Sequence, residues 1–334
     1  MQRITRFATI KKLLVILIGI YAISIFLPRL FPNYFYSPPK RPSGPPKQRT
    51  MHFYNSSIDY NFMHVPNTLK CQKRSTLLVA IVPSIVNNSL IRTAIRETWA
   101  SRSESEAIQD WEVFVYFILS RPNEEQWKRL RNEIGQYDDL IITDLEESYD
   151  NLVYKVYAAM DFFRAWCPKV KFLLKIDDDV VVSIDRMLYF LERESAMAEK
   201  SIRCKVWMKA KPKREKDSKW FVPKSVWNKQ YFPNYCNGPV YLMSRKAVDA
   251  ILDYTANFTM FQIEDVYYTG IIANAAGVSR LNWSRHMLSE DTIFQKGKCK
   301  CERSIPLWFA VHSFKGPNKL KAGFSQLKYL RCLN

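Results

Sequence analysis

The stretch Phe172–Ser183, with the sequence FLLKIDDDVVVS, places three consecutive carboxylates between two apolar runs. Apolar, β-branched residues of this kind predict a buried strand. Asp177, Asp178 and Asp179 cannot be buried alone, because removing even one carboxylate from water costs several kcal/mol. We therefore expect the strand to deliver them to an opening that binds a divalent cation such as Mn²⁺ or Mg²⁺, since these ions prefer oxygen ligands. The alternative is a solvated acidic loop between two core strands.

Strands and helices alternate along the chain from Cys71 onward. This order is typical of an α/β protein with a mostly parallel sheet and helices on both faces. Ligands of such folds bind beyond the carboxyl ends of the strands, where the three aspartates are expected. Besides the central strand, the pattern predicts strands over 77–85, 113–119, 140–143 and 240–243. It predicts helices over 92–101, 124–137, 184–198 and 245–254, one beginning near 151, and one from 264 to about 276.

The net charge of +18 is concentrated towards the N-terminus. No acidic residue precedes Asp59, and nine basic residues within positions 1–49 account for half of the net charge. A folded basic face for nucleic acid is therefore not predicted, although the remaining positive charge would suit an anionic substrate. The nine residues are Arg3, Arg6, Lys11, Lys12, Arg29, Lys40, Arg41, Lys47 and Arg49.

An uncharged apolar run from Leu13 to Leu27, extended by Leu30 and Phe31, predicts a transmembrane signal-anchor. Basic residues precede it, so the N-terminus is expected on the cytosolic side. A cleaved signal peptide is the rival interpretation, but no small-x-small cleavage site follows the run. The short span suits the thinner membranes of the early secretory pathway. The predicted organisation is a cytosolic tail at 1–12, the anchor at 13–31, a Pro-rich stem at 32–70 and a lumenal catalytic domain at 71–334.

Glycosylation sequons and cysteines agree with a lumenal location. Four N-glycosylation sequons begin at Asn55, Asn87, Asn257 and Asn282. Seven cysteines allow up to three structural disulfides with one cysteine left over, and their spacing matches no zinc site. The sequence leaves their pairing open.

Three further positions are candidates for the site. Gly238 indicates either a close backbone approach or a plain turn. Glu264 and Asp265 open a predicted helix, where acidic residues commonly serve only as partners of the helix dipole. His312 is either a structural histidine or a ligand.

Five blocks of the sequence together carry a family resemblance. They are Arg92–Trp99 (RTAIRETW), Asp144–Lys155 (DLEESYDNLVYK), Lys175–Val180 (KIDDDV), Tyr235–Ser244 (YCNGPVYLMS) and Glu264–Gly270 (EDVYYTG). In this order, between residue 76 and about 315, they resemble the inverting β-1,3-glycosyltransferases of the galactosyltransferase type, family 31. The anchor, stem and α/β pattern match the type II membrane topology and the GT-A fold of that family.

The resemblance implies a role for each matching residue. Asp265 is the expected general base, and a carboxylate that opens a helix is expected to stay ionised. Asp179 is the expected metal ligand, with His312 completing the metal or diphosphate site. The positions expected near the nucleotide are Arg92, Arg96, Asp144, Lys155, Asp177, Asp178 and Gly238. Arg92 and Arg96 share one helix face, where two cations could meet a diphosphate.

The resemblance implies transfer of a hexose or N-acetylhexosamine, with galactose favoured, from a UDP-sugar to a sugar 3-hydroxyl. The implied product is a β-1,3 linkage in a glycoprotein or glycolipid glycan, the implied cofactor is Mn²⁺ or Mg²⁺, and the implied location is the Golgi membrane. Departures from the family pattern at Glu146-Glu147, Val153-Tyr154 and Pro239 leave the donor and acceptor open. Two other functions stay open: a haloacid-dehalogenase-like phosphatase that uses Asp177 and Asp179, and a non-catalytic, membrane-tethered glycan-binding protein.

Overall fold

In a computed structural model of the protein, Pro45–Asn334 form one compact unit. The structure describes residues 47–68, 71, 75–194, 199–288 and 297–333. The predicted cytosolic tail, membrane anchor and first part of the stem lie outside these residues. Within the described ranges no helix is both long and apolar enough to cross a bilayer.

The centre of the unit is a nine-stranded sheet. Its strands, in spatial order, are β1 (Gln48–Phe53), β2 (Ser56–His64), β5 (Leu140–Thr143), β4 (Val113–Leu119), β3 (Leu78–Pro83), β6 (Phe172–Ile176), β9 (Tyr235–Ser244), β8 (Ser201–Trp207) and β10 (Ser279–Asn282). The smaller sheets contain β7 (Val180–Val182), β11 (Met287–Leu288), β12 (Lys298–Cys299), β13 (Cys301–Glu302), β14 (Ile305–Pro306), β15 (Ala310–His312) and β16 (Arg331–Cys332).

The α/β class is confirmed, but the sheet is mixed and not mostly parallel. The run β5-β4-β3-β6 is parallel, as are β8 and β10. The other four neighbouring pairs in the sheet are antiparallel. The difference arises because β9 returns beside β6 in the opposite direction, while a hairpin that the sequence did not predict is added at the other edge.

Helices cover both faces of the sheet, as predicted, and each face has its own apolar core. One core lies under the helices Leu152–Trp166 and Arg245–Tyr254, and the other lies under the helices Ser89–Arg96, Ile184–Glu192 and Pro317–Lys328. The helices are α1 (Ser89–Arg96), α2 (Glu106–Gln109), α3 (Glu124–Tyr137), α4 (Leu152–Trp166), α5 (Ile184–Glu192), α6 (Arg245–Tyr254), a 3₁₀ turn (Thr255–Asn257), a π-helix (Val266–Ile272), α7 (Ala273–Ala275) and α8 (Pro317–Lys328).

The central stretch does not form one continuous strand. β6 ends at Ile176, and the three aspartates form a turn that leads into β7. β7 leaves the large sheet and pairs with β15, so that Val180 lies opposite His312. Charged side chains would have no solvent inside the large sheet, which explains why the strand breaks at the aspartates. The turn lies at the carboxyl end of β6, where the sequence placed it.

Residues 48–64 are part of the folded sheet and not of a stem. β1 and β2 form a hairpin that extends the sheet next to β5, and they bury Met51, Phe53, Tyr60 and Phe62. Arg49 donates two hydrogen bonds of 2.6 and 2.8 Å to the buried carboxylate of Asp161 in α4. Tyr60 donates a third, of 2.6 Å, to the same carboxylate. The folded domain therefore begins by Gln48 and not at Cys71.

Three disulfides form, with one cysteine left over, as the cysteine count predicted. The pairs are Cys71–Cys167, Cys204–Cys236 and Cys301–Cys332, and Cys299 is a buried free thiol. The first pair fixes the segment after the hairpin to the end of α4, and the second joins β8 to β9. All four sequon asparagines are exposed on the surface of the domain.

A protein that begins at residue 71 is expected to be much less stable than one that begins at residue 46. The shorter chain loses the four buried hairpin side chains and leaves Asp161 buried without Arg49. Burial of each large apolar side chain contributes about 1.5–3 kcal/mol, so this loss is large compared with the stability of a typical domain. Thermal unfolding and secreted yield of the two chains measure the effect. Equal melting temperatures would show that the hairpin is dispensable.

Candidate active site

A buried lysine connects three parts of the sequence that carry candidate site residues. Lys175 in β6 is almost fully buried, and its Nζ lies 2.6 Å from Asp177 Oδ1 and 3.0 Å from Glu264 Oε1. It also donates a 2.7 Å hydrogen bond to the carbonyl of Gly238 in β9. The ammonium group thus joins the aspartate turn, β9 and the start of the π-helix. The sequence signal for this role was a charged residue inside a strand that was predicted to be buried. Sequence analysis assigned no function to Lys175.

Asp177 and Asp178 are held in different ways. The backbone amide of Asp177 donates to the carbonyl of Pro239 at 2.8 Å, and its side chain faces Lys175. Asp178 accepts 3.0 Å hydrogen bonds from Ser84, after β3, and from Asn88, before α1. Burial raises the pKa of both carboxyls. Asp178 therefore fixes the loop beside the turn, while Asp177 belongs to the ionic cluster around Lys175.

Asp179 faces His312, which β15 brings to the turn. Asp179 Oδ1 lies 3.2 Å from His312 Nε2, and the amide of Phe314 donates to the Asp179 carbonyl at 2.9 Å. Burial opposes ionisation of Asp179, but the contact with His312 and its charge hold the pKa below its ordinary value. The two residues assigned to the metal by resemblance, 133 positions apart, are thus adjacent in space.

The pair Asp179 and His312 suits a divalent cation that takes its other ligands from a substrate. Among the described residues no group of three or more His, Cys, Asp or Glu side chains is arranged to hold a metal ion. Within those residues, Asp179 Oδ1 is buried without a hydrogen bond of good geometry. Mn²⁺ and Mg²⁺ are commonly held by one or two protein side chains together with substrate phosphates. The available donors, one carboxylate and one imidazole, fit that mode of binding.

Asp265 lies against Gly238 in β9. A Cβ atom built on Gly238 would be only 3.0 Å from Asp265 Oδ2, so this glycine permits a close approach and is not a turn residue. Asp265 Oδ1 accepts a 2.7 Å hydrogen bond from the amide of Val266 and so caps the π-helix. Burial and the nearby Glu264 raise its pKa to about 7. The expectation that the helix start keeps Asp265 firmly ionised was therefore wrong, because desolvation outweighs the helix dipole.

Glu264 is not a partner of the helix dipole. Its side chain is buried and accepts a 3.0 Å hydrogen bond from the Tyr241 hydroxyl, in addition to the ion pair with Lys175. Burial raises the pKa of Glu264. The two adjacent acids thus differ in role: Glu264 is enclosed in the ionic cluster, and Asp265 is partly accessible.

Arg92 and Arg96 lie in α1 on one face, as predicted, but their guanidinium groups are paired within the protein. Arg92 is fully buried and forms two 2.7 Å hydrogen bonds with Glu133. It also donates to the carbonyls of Ile85 and Val86, which follow β3. Arg96 is bound to Glu133 and Asp139. Because Arg92 is buried in this way, a direct contact with a diphosphate is not expected. Its hydrogen bonds to the carbonyls of Ile85 and Val86 indicate that it supports the Ser84–Asn88 loop.

Lys155 and Asp144 occupy different surroundings. Lys155 is buried, pairs with Glu147 at 2.6 Å and donates to the Ser84 carbonyl at 3.2 Å, so it lies beside the loop that holds Asp178. Burial lowers the pKa of Lys155. Glu147, a departure from the family pattern, is its counterion. Asp144 accepts two hydrogen bonds from Asn61 in β2, at 2.7 and 2.8 Å, and so joins the hairpin to the end of β5.

Aromatic residues that sequence analysis did not select border Asp265. Tyr149 and Trp220 are both nearly half exposed, and Trp220 lies within hydrogen-bonding reach of the Tyr149 hydroxyl. Burial and the charge of Asp265 raise the pKa of Tyr149 to about 12 and shift that of Tyr235 in the same direction. The acid is therefore flanked by the Lys175 cluster on one side and by exposed aromatic rings on another.

Comparisons with known proteins agree with the sequence resemblance. A family model described as Galactosyltransferase matches residues 91–284, which is more than half of the chain. Over 210 residues the chain is 26% identical to β-1,3-galactosyltransferase 2 of Homo sapiens, covering 62% of this chain and 50% of the relative. It is 26% identical to β-1,3-galactosyltransferase 1 of Mus musculus over the same length, covering 63% of each. The match thus spans about half to two thirds of these relatives.

Similar solved structures are more distant. An active-site mutant of LgtC is 11% identical with a TM-score of 0.40, over 74% of this chain and 95% of that one. A glycosyltransferase involved in glycosylation of the major capsid of PBCV-1 is 10% identical with a TM-score of 0.39, over 75% and 99% of the two chains.

Replacing Lys175 with Met is expected to destabilise the domain by roughly 3–5 kcal/mol, because it leaves Glu264 and Asp177 without their shared cation. Urea unfolding measures the change. The double variant Lys175→Met, Glu264→Gln should regain part of the loss, since the buried uncompensated charge is removed. Lys128→Met, at an exposed position of α3, is the control and should lie within about 0.5 kcal/mol of the wild type. A loss no larger than that of the control would refute the role given to Lys175.

Proposed function

Because this chain belongs to the galactosyltransferase family, family 31 of the glycosyltransferases, we propose that it transfers a hexose or N-acetylhexosamine from a UDP-sugar to a sugar 3-hydroxyl with inversion. Galactose is the favoured donor sugar, and the product is a β-1,3 linkage in a glycoprotein or glycolipid glycan. One observation carries the proposal: a partly accessible carboxyl with a pKa of about 7 lies against Gly238, whose carbonyl binds the same lysine that holds the aspartate turn. That turn contributes Asp179 to an Asp–His pair suited to a cation.

Asp265 is the proposed general base. A base with a pKa near neutrality is ionised in a substantial fraction of molecules and still accepts a proton readily. Asp265 Oδ1 is engaged by the Val266 amide, whereas Oδ2 lies over Gly238, where a side chain would interfere. Oδ2 is therefore the atom proposed to take the proton of the acceptor hydroxyl as its oxygen attacks the anomeric carbon of the donor.

The aspartate turn is the proposed site of the nucleotide diphosphate. Asp179 and His312 would hold Mn²⁺ or Mg²⁺, which when bound offsets the negative charge of the diphosphate leaving group. Asp177 and Asp178 are proposed to border the ribose or the water shell of the ion. Ser84 and Asn88 keep Asp178 in place, and Lys175 keeps Asp177 in place, so the chain fixes the turn before a nucleotide arrives.

The remaining features are proposed from family membership and the leader sequence. They are the GT-A arrangement of the domain, a single-pass type II topology with the domain in the lumen, and residence in the Golgi membrane. Cys71–Cys167, Cys204–Cys236 and Cys301–Cys332 support a lumenal location, because disulfides persist in oxidising compartments.

A donor screen with the full-length protein tests the function. The protein is incubated with Mn²⁺, a panel of oligosaccharides and UDP-galactose, UDP-N-acetylglucosamine or UDP-N-acetylgalactosamine, and the linkage of any product is determined. Formation of a β-1,3-linked product with release of UDP is the expected result. Release of inorganic phosphate from a phosphate ester would indicate the phosphatase alternative. Glycan binding without turnover of any donor would indicate the non-catalytic alternative.

Asp265→Asn is expected to lower kcat by about 10²–10⁴-fold while UDP binding and the melting temperature change little. Asn caps a helix about as well as Asp, so the variant keeps the cap and removes the proton acceptor. In the wild type, kcat/KM should rise with pH through a midpoint near pH 7 and level off about one pH unit higher, because Asp265 must lose its proton to act. Near-normal kcat in the variant would show that Asp265 is only a cap.

Asp179→Ala is expected to abolish Mn²⁺-dependent transfer and to weaken binding of UDP, because one of two protein ligands is lost. Titration calorimetry of UDP with and without Mn²⁺ gives a readout that does not depend on turnover. Asp253→Asn, at an exposed carboxylate of α6 that pairs with Arg164, is the control for loss of one negative charge. Unchanged transfer in excess EDTA would contradict metal dependence.

A further inference from the structure

The connection between β8 and β9 is strongly basic. Residues 208–231, here the basic loop, contain eight basic and two acidic residues, a net charge of +6. Seven of the eight are lysines, and all seven are exposed. The lysines are Lys209, Lys211, Lys213, Lys216, Lys219, Lys224 and Lys229.

Internal contacts give the basic loop a fixed shape. Arg214, its eighth basic residue, donates to the carbonyls of Val222 and Trp227 at 2.5 and 2.7 Å. The amide of Val222 donates to the Lys213 carbonyl at 2.9 Å, and the side chain of Val222 is buried. One cation is thus used to close the loop, while the lysines are left on its surface. A loop fixed in this way presents its charges at defined positions.

The basic loop borders the proposed base. Gln262, three residues before Asp265, donates to the Phe221 carbonyl in the loop at 2.8 Å. Trp220 lies beside Tyr149, and the charge of Asp265 adds to the effect of burial in raising the pKa of Tyr149. Lys219 Nζ lies 4.5 Å from the centre of the Trp220 ring and 5.2 Å from that of Tyr149. An exposed cation and two exposed rings therefore meet on the side of β9 where the acceptor is proposed to bind.

We propose that the acceptor is an anionic glycan, whose sugar ring packs on Trp220 and Tyr149 and whose uronate or sulfate group pairs with Lys219. Aromatic rings suit the apolar face of a sugar, and a charge-assisted hydrogen bond to an ammonium group suits a carboxylate or sulfate. This inference rests on the proposed function, since it names the substrate class of the same site. The donor nucleotide is not the proposed partner of Lys219, because its proposed site is the aspartate turn.

Matched acceptors test the proposal with the full-length protein. The acceptors share the reactive terminal sugar and differ in the next residue, which is neutral, a uronate or sulfated. We expect kcat/KM to be at least about tenfold higher for one of the anionic acceptors than for the neutral one, and the advantage to shrink as NaCl is raised. Whichever anionic acceptor has the higher kcat/KM, the uronate or the sulfated one, identifies the anionic group that the protein recognises. Equal kcat/KM for all three acceptors would overturn the proposal.

Three variants separate charge from stacking. Lys219→Gln should reduce the preference for the anionic acceptor about 5- to 10-fold, and Lys319→Gln, at an exposed position of α8, should keep it. Trp220→Ala should lower kcat/KM for neutral and anionic acceptors alike, because the ring contacts the sugar and not its charge. A Lys219→Gln preference equal to that of the wild type would overturn the role of the cation.

Direct binding of the same oligosaccharides, measured by calorimetry, distinguishes this inference from the proposed function. If no donor is turned over, the transferase proposal fails. If Lys219→Gln weakens binding of the anionic oligosaccharide and Lys319→Gln does not, the proposed glycan-binding surface is still supported. Binding that both variants leave unchanged, or that an acidic peptide of equal charge matches, would overturn it.

Discussion

The ammonium group of Lys175 is the interaction on which the site depends. It is the shared cation for Asp177 and Glu264 and a donor to Gly238, so three segments far apart in sequence converge on one buried atom. Without it, β6, β9 and the start of the π-helix would bring acids together without compensation, and the cost of burying those charges would oppose the fold. The buried acids around Lys175 therefore require a cation at this position of β6.

The same charge balance accounts for the pKa of Asp265. The Lys175 cluster contains two carboxyls and one ammonium group, and Asp265 beside it adds a third carboxyl, so these four groups together are not neutral when all three acids are ionised. Lys175 contacts Asp177 and Glu264 directly, whereas Asp265 accepts a hydrogen bond from the backbone amide of Val266. Burial and the charge of Glu264 favour the protonated form of Asp265, which explains why the pKa of this partly accessible acid is about 7. The same arrangement of charges thus determines both the stability of the site and the pKa of Asp265.

Local sequence patterns predicted the elements with strong periodicity. The bounds of β4, α3, β5 and α6 agree with the sequence, and a capping box at Asn123 and Gln126 explains the sharp start of α3. The β1–β2 hairpin was missed because Pro-rich and basic composition nearby indicated a stem, although the alternation of Ile58, Tyr60 and Phe62 is a strand signal. The positions of the acids were also predicted. Their partners were not, since the pairing of Lys175 with Glu264 depends on a register that no local pattern encodes.

The pairing of β7 with β15 has a consequence for biosynthesis. The ribosome adds His312 133 residues later than Asp179. A growing chain can therefore complete β6 and its aspartate turn long before His312 has been added. Because proteins begin to fold during synthesis, the aspartate turn passes through a period in which solvent or a chaperone must accommodate it. Assembly of the Asp179–His312 pair is thereby tied to late translation: fragments released early have the aspartates but lack the residue that faces Asp179.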